Sequence, residues 1–191
     1  MSTFVGRLQR RPGCPACQEP DVVEILMTEE AYATVISLTQ ESPDVETGGV
    51  LIGFLAEGNR VVVVDATGPG PNATRTAMLF RRDIAYVQGK LDEAARALGP
   101  RGVYVGEWHS HLSADPQPGP MDMDSLFGIA RVPNYLTRCP VMAIAGLDPG
   151  TGKVATIGTW AFPVVGRIYA ISHKLASQEE ALALRPADVA V

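Results

Sequence analysis

Residues 103–111 read Val-Tyr-Val-Gly-Glu-Trp-His-Ser-His, an apolar run that leads directly into two histidines. The run 103–108 is typical of a buried strand. In an extended chain, residues i and i+2 point to the same side, so the imidazoles of His109 and His111 can meet one ion. A merely polar pair at a strand end is the alternative. The stretch therefore predicts a strand that ends in two candidate metal ligands.

A third candidate ligand, Asp122, follows His111 after ten intervening residues, at the start of a predicted helix. The intervening loop contains three prolines, which stiffen it so that it can hold a carboxylate near the strand end. Two imidazoles and one carboxylate leave the fourth position of a tetrahedral site for water, as in catalytic zinc sites. Iron and manganese accept the same ligand types.

A metal-activated water needs a base, and Glu46 lies just before the glycine pair Gly48-Gly49. Glycines let the backbone pass close to a neighbouring element, which a buried active site requires. A surface acid near a turn is the alternative reading of Glu46. A second acid, Glu107, should point to the opposite side of its strand from Trp108, where it could support a histidine.

The other patterns predict a mixed α/β fold, a single domain with helices packed on the faces of one sheet. Residues 1–21, rich in Pro and Gly, are expected to form a loosely ordered arm, and 22–191 the domain with a C-terminal helical tail. The predicted helices span 28–42, 83–98 and about 121–132. The predicted strands are 49–54, 61–66, 103–108, 141–147 and 154–162, with loops at 67–77 and 112–120 and a short strand and helix within 170–184.

Composition limits the classes of partner. The 191 residues are 46% hydrophobic and carry a net charge of −5, which argues against nucleic acid. No apolar run is long enough for a membrane span, and no secretory signal is visible, so we expect a cytoplasmic protein. The three cysteines, Cys14, Cys17 and Cys139, fit reduced thiols. Cys14 and Cys17 have zinc-knuckle spacing, but without a second such pair a plain turn is favoured over a structural or redox site.

The segments Glu46-Thr47-Gly48-Gly49 and His109-Ser110-His111, together with Asp122, resemble the signature of the JAMM metalloproteases, also called JAB or MPN-plus. The order, the residue types and the ten-residue gap match, and the resemblance extends from about residue 22 to about 165. Residues 65–73, 80–83 and 106–111 look most like the bacterial branch. Members of that branch are found beside E1-like, E2-like and ubiquitin-like proteins, including in antiphage operons.

The resemblance implies a single JAB/MPN domain with a cytidine-deaminase-like mixed sheet flanked by helices. It implies Zn²⁺ held by His109, His111 and Asp122, with Glu46 as catalytic base. The implied activity is cleavage after the C-terminus of a ubiquitin-like protein, either from a lysine or from a precursor, with E1-like and E2-like proteins as further partners. Alternatives are a peptidase that processes a sulfur-carrier protein and a metal-free scaffold, although scaffolds usually lose the ligands retained here.

A flexible ubiquitin-like tail would add as a strand beside the sheet edge near the site. We expect the loops 67–77 and 112–120 to line its groove, with Thr76 and Met121 as candidate substrate contacts.

One position departs from the family pattern. The family usually has a serine three residues before the metal aspartate, where it helps to hold the oxyanion, and this chain has Gly119. Loss of one oxyanion donor typically lowers the rate by about 10²–10³. A backbone N–H, Ser113 or Ser125 would have to substitute, or the enzyme would be slow. A shifted register with Asp124 as the ligand restores no serine, so Asp122 is preferred.

Overall fold

A computed structural model describes residues 22–99, 104–132, 137, 139–164 and 167–186. Cys14, Cys17 and the expected arm 1–21 lie outside the described residues. The strands are β1 (Glu24–Thr28), β2 (Gly48–Ala56), β3 (Arg60–Ala66), β4 (Thr74–Thr76), β5 (Leu79–Arg81), β6 (Tyr104–His111), β7 (Val141–Asp148), β8 (Lys153–Ala161), β9 (Tyr169–Ala170) and β10 (Ser172–Ala176). The helices are α1 (Glu29–Gln40), α2 (Ile84–Leu98), α3 (Pro120–Ala130) and α4 (Gln178–Ala183).

Eight of these strands form one sheet in the order β10-β1-β3-β2-β6-β7-β8-β9. Strand β1 is parallel to both β3 and β10, and β6 is parallel to β7, whereas the other neighbours are antiparallel. The prediction of a mixed α/β fold with a large central sheet is therefore confirmed. Strands β4 and β5 pair only with each other and form a separate hairpin.

Strand β6 lies inside the sheet, and its side chains are buried from Tyr104 through Ser110. Trp108 is 1% exposed, and its Nε1 donates to the carbonyl oxygen of Thr67 at 2.9 Å. A Cβ built on Gly49 would overlap that same Thr67 carbonyl, so the expected close backbone approach at this glycine is confirmed. The backbone is therefore tightly packed where β2, β3 and β6 meet, next to the two histidines.

The helix starts follow from local capping. The Thr28 hydroxyl accepts the N–H of Ala31 at 3.2 Å, so the predicted N-cap of α1 is confirmed. Asp83 caps α2 in the same way through the N–H of Tyr86 at 3.2 Å, and that helix ends before Gly99. The side-chain oxygens of N-cap residues satisfy backbone donors that the first helical turn leaves free.

Three predictions of elements were wrong. The strand predicted to end at Trp108 continues through His111, because β7 runs beside it and pairs as far as His111↔Gly146. The loop predicted over 67–77 contains β4, which pairs with β5. The C-terminal segment holds two short strands before α4, and the second of these, β10, pairs with the unpredicted β1. Each of these elements depends on a partner strand that local patterns do not reveal.

Among the described residues, no helix is long and apolar enough to cross a membrane.

Glu24 connects three strands. Its carboxylate meets Lys174 of β10 at 2.6 Å and Arg60 of β3 at 2.9 Å, and its side chain is 13% exposed. The hydrogen bond from Lys174, aided by the charge of Arg60, holds the pKa of Glu24 below its ordinary value despite partial burial. A carboxylate with a lowered folded pKa stabilises the fold above its unfolded pKa of about 4.3. That contribution disappears as the pH falls through the folded pKa.

We therefore expect Glu24→Gln to reduce the free energy of unfolding by up to about 1 kcal/mol near neutral pH, because both cationic partners are partly solvated. The difference from the parent should shrink as the pH falls below the carboxyl range. Urea denaturation at neutral and acidic pH measures it, with Glu57→Gln in the β2–β3 turn as control. A difference that persisted unchanged in acid would contradict the ion-pair explanation.

Candidate metal centre

His109 and His111 lie at the end of β6 with their rings on the same side of the strand. Their Nε2 atoms are 3.0 Å apart, and the ring planes are inclined by 50°. A zinc ion with bonds of about 2.0–2.1 Å to two nitrogens separates them by about 3.4 Å in a tetrahedral site. The spacing of the two nitrogens is therefore close to what one shared ion requires.

Asp122, on the first turn of α3, brings its carboxylate to the same point. Its Oδ1 is 3.5 Å from the Nε2 of His109, and its Oδ2 is 4.0 Å from the Nε2 of His111. Ligand atoms of the three residues all lie within 4.8 Å of one another. Burial acts to raise the pKa of Asp122, but the hydrogen bond and charge of His109, with the Gly119 N–H and His111, outweigh it and lower that pKa. The carboxylate is therefore held ionised, as a ligand must be.

The tautomer of His111 is set by a backbone carbonyl. Its Nδ1 is 2.9 Å from the carbonyl oxygen of Asp115, an acceptor, so Nδ1 carries the proton and donates it. The Nε2 atom is thereby left with its lone pair directed at the cluster. This is the common arrangement of a metal-binding histidine, whose second nitrogen is oriented by a hydrogen bond. The donor set thus fits a divalent metal.

Glu46 lies at the edge of the same cluster, in the segment that precedes β2, and it lines a cleft together with His109 and Asp122. Its backbone N–H donates to the carbonyl oxygen of Thr76 at 2.8 Å. Burial raises the pKa of Glu46, the charges of His109 and His111 act against this, and Asp122 adds to it. A half-buried carboxylate with a raised pKa is well suited to accept a proton and release it again.

Glu107 does not support either histidine. It is 8% exposed, and its Oε1 meets the guanidinium of Arg82 at 2.6 Å and accepts the Tyr104 hydroxyl at 3.2 Å. It does lie opposite Trp108, on the face that carries the histidines, and Arg82 and Glu107 both line the cleft. The possibility of a histidine partner is therefore not realised, and the carboxylate is paired instead with Arg82, just after β5. Sequence reasoning missed this pair, since it joins residues far apart in the chain.

The residues around the metal ligands differ in what they contact. Gly119 is the N-cap of α3, and its N–H donates to Asp122 Oδ2 at 2.7 Å, so this amide is used to orient the ligand. Ser125 and Ser113 are both exposed. Ser125 lines the cleft one turn along α3, whereas Ser113, in the loop after β6, is not part of that lining. Asp124 is exposed and does not belong to the cluster, in contrast to Asp122.

The cleft, about 370 Å³ in volume, runs between the β4–β5 hairpin and α3. Its lining includes residues 78–82 of the hairpin side and Met121, Asp122 and Ser125 of α3. The loops 67–77 and 112–120, which were expected to line it, contribute no residue to this lining. Met121 is part of the lining. Thr76 is not part of it, and its carbonyl oxygen instead accepts the N–H of Glu46. Three large apolar side chains stand exposed at the rim: Met78 at 81%, Ile84 at 68% and Met121 at 67%.

Comparison with known proteins finds relatives that match about half of this chain. No protein-family model matches the chain. A probable metalloprotease, y4qB of Sinorhizobium fredii, is 32% identical over 102 residues, which cover 53% of this chain and 62% of that protein. A CD-NTase/cGAS isopeptidase of Enterobacter hormaechei is 35% identical over 106 residues, covering 54% of this chain and 57% of that protein. Over about half of its length, the chain is thus similar to a probable bacterial metalloprotease and to a bacterial isopeptidase. This agrees with the resemblance to the bacterial JAMM branch.

A third relative extends the same pattern. The CD-NTase/cGAS isopeptidase of Vibrio cholerae is 34% identical over 80 residues, covering 42% of this chain and 51% of that protein. The chain therefore spans only about half to three-fifths of the length of the curated relatives it matches.

Among solved structures, the solution structure of protein DSY2949 from Desulfitobacterium hafniense superposes with a TM-score of 0.57 at 18% identity. The match covers 80% of this chain and 93% of that one. At this identity the likeness concerns the fold alone.

Proposed function

We propose that this chain is a zinc-dependent isopeptidase that cleaves after the C-terminus of a ubiquitin-like protein. The observation that carries the proposal is the cluster of His109, His111 and Asp122, whose ligand atoms lie within 4.8 Å of one another beside Glu46 in an open cleft. The relatives named metalloprotease and isopeptidase support the reaction class.

In the proposed mechanism, the two Nε2 atoms and the Asp122 carboxylate would hold the metal. A bound zinc ion supplies a Lewis acid that lowers the pKa of water towards about 7 and polarises a carbonyl. Glu46 accepts a proton from the attacking water and then delivers it to the departing lysine amine, acting in turn as base and acid. Its raised pKa supports the first step, because a carboxylate of higher pKa takes up a proton more readily.

The oxyanion lacks the serine that the family usually provides. The Gly119 N–H is already engaged by Asp122, so it is not a free donor for this purpose. The Ser125 hydroxyl lines the cleft one turn further along α3, and we propose it as the substitute donor. Ser113 is less suitable, because it is not among the residues that line the cleft.

The substrate would enter as an extended tail between the hairpin and α3. Exposed apolar groups at an active-site rim are typical of recognition surfaces. We propose that Met78, Ile84 and Met121 pack against apolar side chains of the tail. Three relatives are named CD-NTase/cGAS isopeptidases, and this supports an isopeptide-linked conjugate of a CD-NTase as the substrate class. E1-like and E2-like proteins would act in the same cytoplasmic, antiviral system.

The test combines metal analysis with a cleavage assay on the purified protein. We expect one zinc per chain, cleavage of a ubiquitin-like protein joined to a CD-NTase lysine, loss of cleavage with a chelator and recovery with added zinc. Cleavage confined to the C-terminus of a sulfur-carrier protein would move the proposal to that substrate. A protein that binds no zinc would point to a scaffold and contradict the proposal.

A further inference from the structure

Ser110 lies between the two histidines of β6 and is fully buried, with 0% exposure. Adjacent residues of a strand point to opposite sides, so its hydroxyl is directed away from the imidazoles and is not a metal ligand. The Ser110 Oγ accepts the N–H of Thr47 at 3.0 Å, and the Ser110 N–H donates to the carbonyl oxygen of Thr47 at 2.8 Å. The two residues are thus joined by a reciprocal pair of hydrogen bonds.

This pair lies just beyond the regular pairing of β2 and β6. The last ladder partners at this end are Gly48 and His109, and beyond them the two bonds between Ser110 and Thr47 hold the segment before Gly48 against β6. Glu46 belongs to that segment. On its other side, the Glu46 N–H donates to Thr76 of the hairpin at 2.8 Å. The backbone at Glu46 is therefore held between the hairpin and the strand that carries the metal ligands.

The N–H of Thr47 belongs to the planar peptide group that joins Glu46 to Thr47. A hydrogen bond to this N–H therefore fixes the orientation of the peptide plane next to the Glu46 Cα. The Ser110 side chain is the acceptor, and its own backbone is part of the strand between His109 and His111. Ser110 is therefore bonded to the residue next to Glu46, and its own neighbours in the strand are the two histidines.

We infer that Ser110 is a positioning residue, which sets the distance and angle of the Glu46 carboxylate relative to the metal ligands. The inference rests on the proposed function, because it assigns to Glu46 the transfer of protons. Removal of the hydroxyl leaves the backbone bond from Ser110 to Thr47 intact but leaves the buried Thr47 N–H without its acceptor. The peptide plane then reorients towards another acceptor, and Glu46 moves with it.

The experiment compares Ser110→Ala with the parent in zinc content, kcat and KM for the conjugate substrate. Displacement of a catalytic group by a fraction of an ångström lowers kcat, and we expect a loss of about 10- to 100-fold. KM should stay within about twofold, because the substrate contacts are unchanged. Zinc should remain at the parent stoichiometry, and hydrogen exchange at the Thr47 amide should become faster.

Thr159→Val is the matched control. It also removes a buried hydroxyl that bonds to a backbone group, since Thr159 Oγ1 donates to the carbonyl oxygen of Ile171 at 2.7 Å, but it lies on β8. This variant should lose stability without losing kcat. If Ser110→Ala does not fold, Ser110→Cys retains a weaker acceptor and should have an intermediate kcat.

Several outcomes would overturn the inference. If Ser110→Ala has the same kcat as an active parent, the inference is wrong but the proposed function stands. The same holds for Ser110→Cys if the alanine variant does not fold. Loss of zinc along with kcat would show that Ser110 supports the ligands instead. Failure of the zinc-loaded parent to cleave any conjugate would count against the proposed function itself.

Discussion

Glu46→Gln is expected to lower kcat by about 10²–10⁴-fold, the usual contribution of a general acid or base. The amide keeps the size of the side chain but cannot take a proton from water. Because His109, His111 and Asp122 are unchanged, the variant should bind zinc with the parent stoichiometry. Single-turnover cleavage of the conjugate, with metal analysis of the same sample, measures both quantities.

Glu41→Gln is a suitable control for this substitution, since Glu41 is an exposed acid at the end of α1, five positions earlier in the chain. It should cleave at the parent rate. If Glu46→Gln cleaved as fast as the parent, another group would have to be the base. Loss of zinc in Glu46→Gln would instead indicate that Glu46 contributes to metal binding.

Asp122→Asn is expected to lose both zinc and cleavage. The asparagine keeps an oxygen that can accept the Gly119 N–H, so the first turn of α3 should stay intact. It removes the negative charge that faces His109 and His111. Loss of a group that only supports a ligand typically lowers metal affinity by about 10–100-fold. Loss of the ligand itself should lower zinc affinity by more than this. Zinc titration with a competing chelator gives the affinity, and circular dichroism checks the fold.

The matched control is Asp124→Asn, two residues further along α3. Asp124 is exposed and lies outside the cluster, so it should keep parent zinc affinity and activity. Comparison of the two variants also tests whether Asp122 or Asp124 is the metal ligand, the two alternatives that the sequence leaves open. Loss of zinc in Asp124→Asn, with zinc retained in Asp122→Asn, would assign the ligand to the other aspartate.

Features that depend on near neighbours could be predicted from the sequence. The cap at Thr28 is satisfied within a few residues, and so is the end of α2 before Gly99. The shared face of His109 and His111 follows from the two-residue repeat of a strand. Their closeness to Asp122 follows from a short, proline-stiffened loop, and the structure brings these three residues together. In each case the chain connecting the groups is too short to permit many alternatives.

Glu46 is a different case. It lies far from the histidines in the chain, so the glycine pair beside it made it only a candidate base, and the resemblance to a family supplied the role. Its position beside the cluster depends on the antiparallel pairing of β2 with β6, which aligns Gly48 with His109. Such a register is decided by the burial of whole strands and is not visible in either segment alone.

The sequence alone determined the chemistry that is available: two imidazoles on one face, a carboxylate held nearby, and an acid next to a glycine pair. Only the tertiary structure decided how these groups are supported. It paired Glu107 with Arg82, joined Ser110 to Thr47, and set the β4–β5 hairpin against the cleft. These contacts connect segments that are distant in the chain, and they form because buried polar groups must find partners wherever packing brings them.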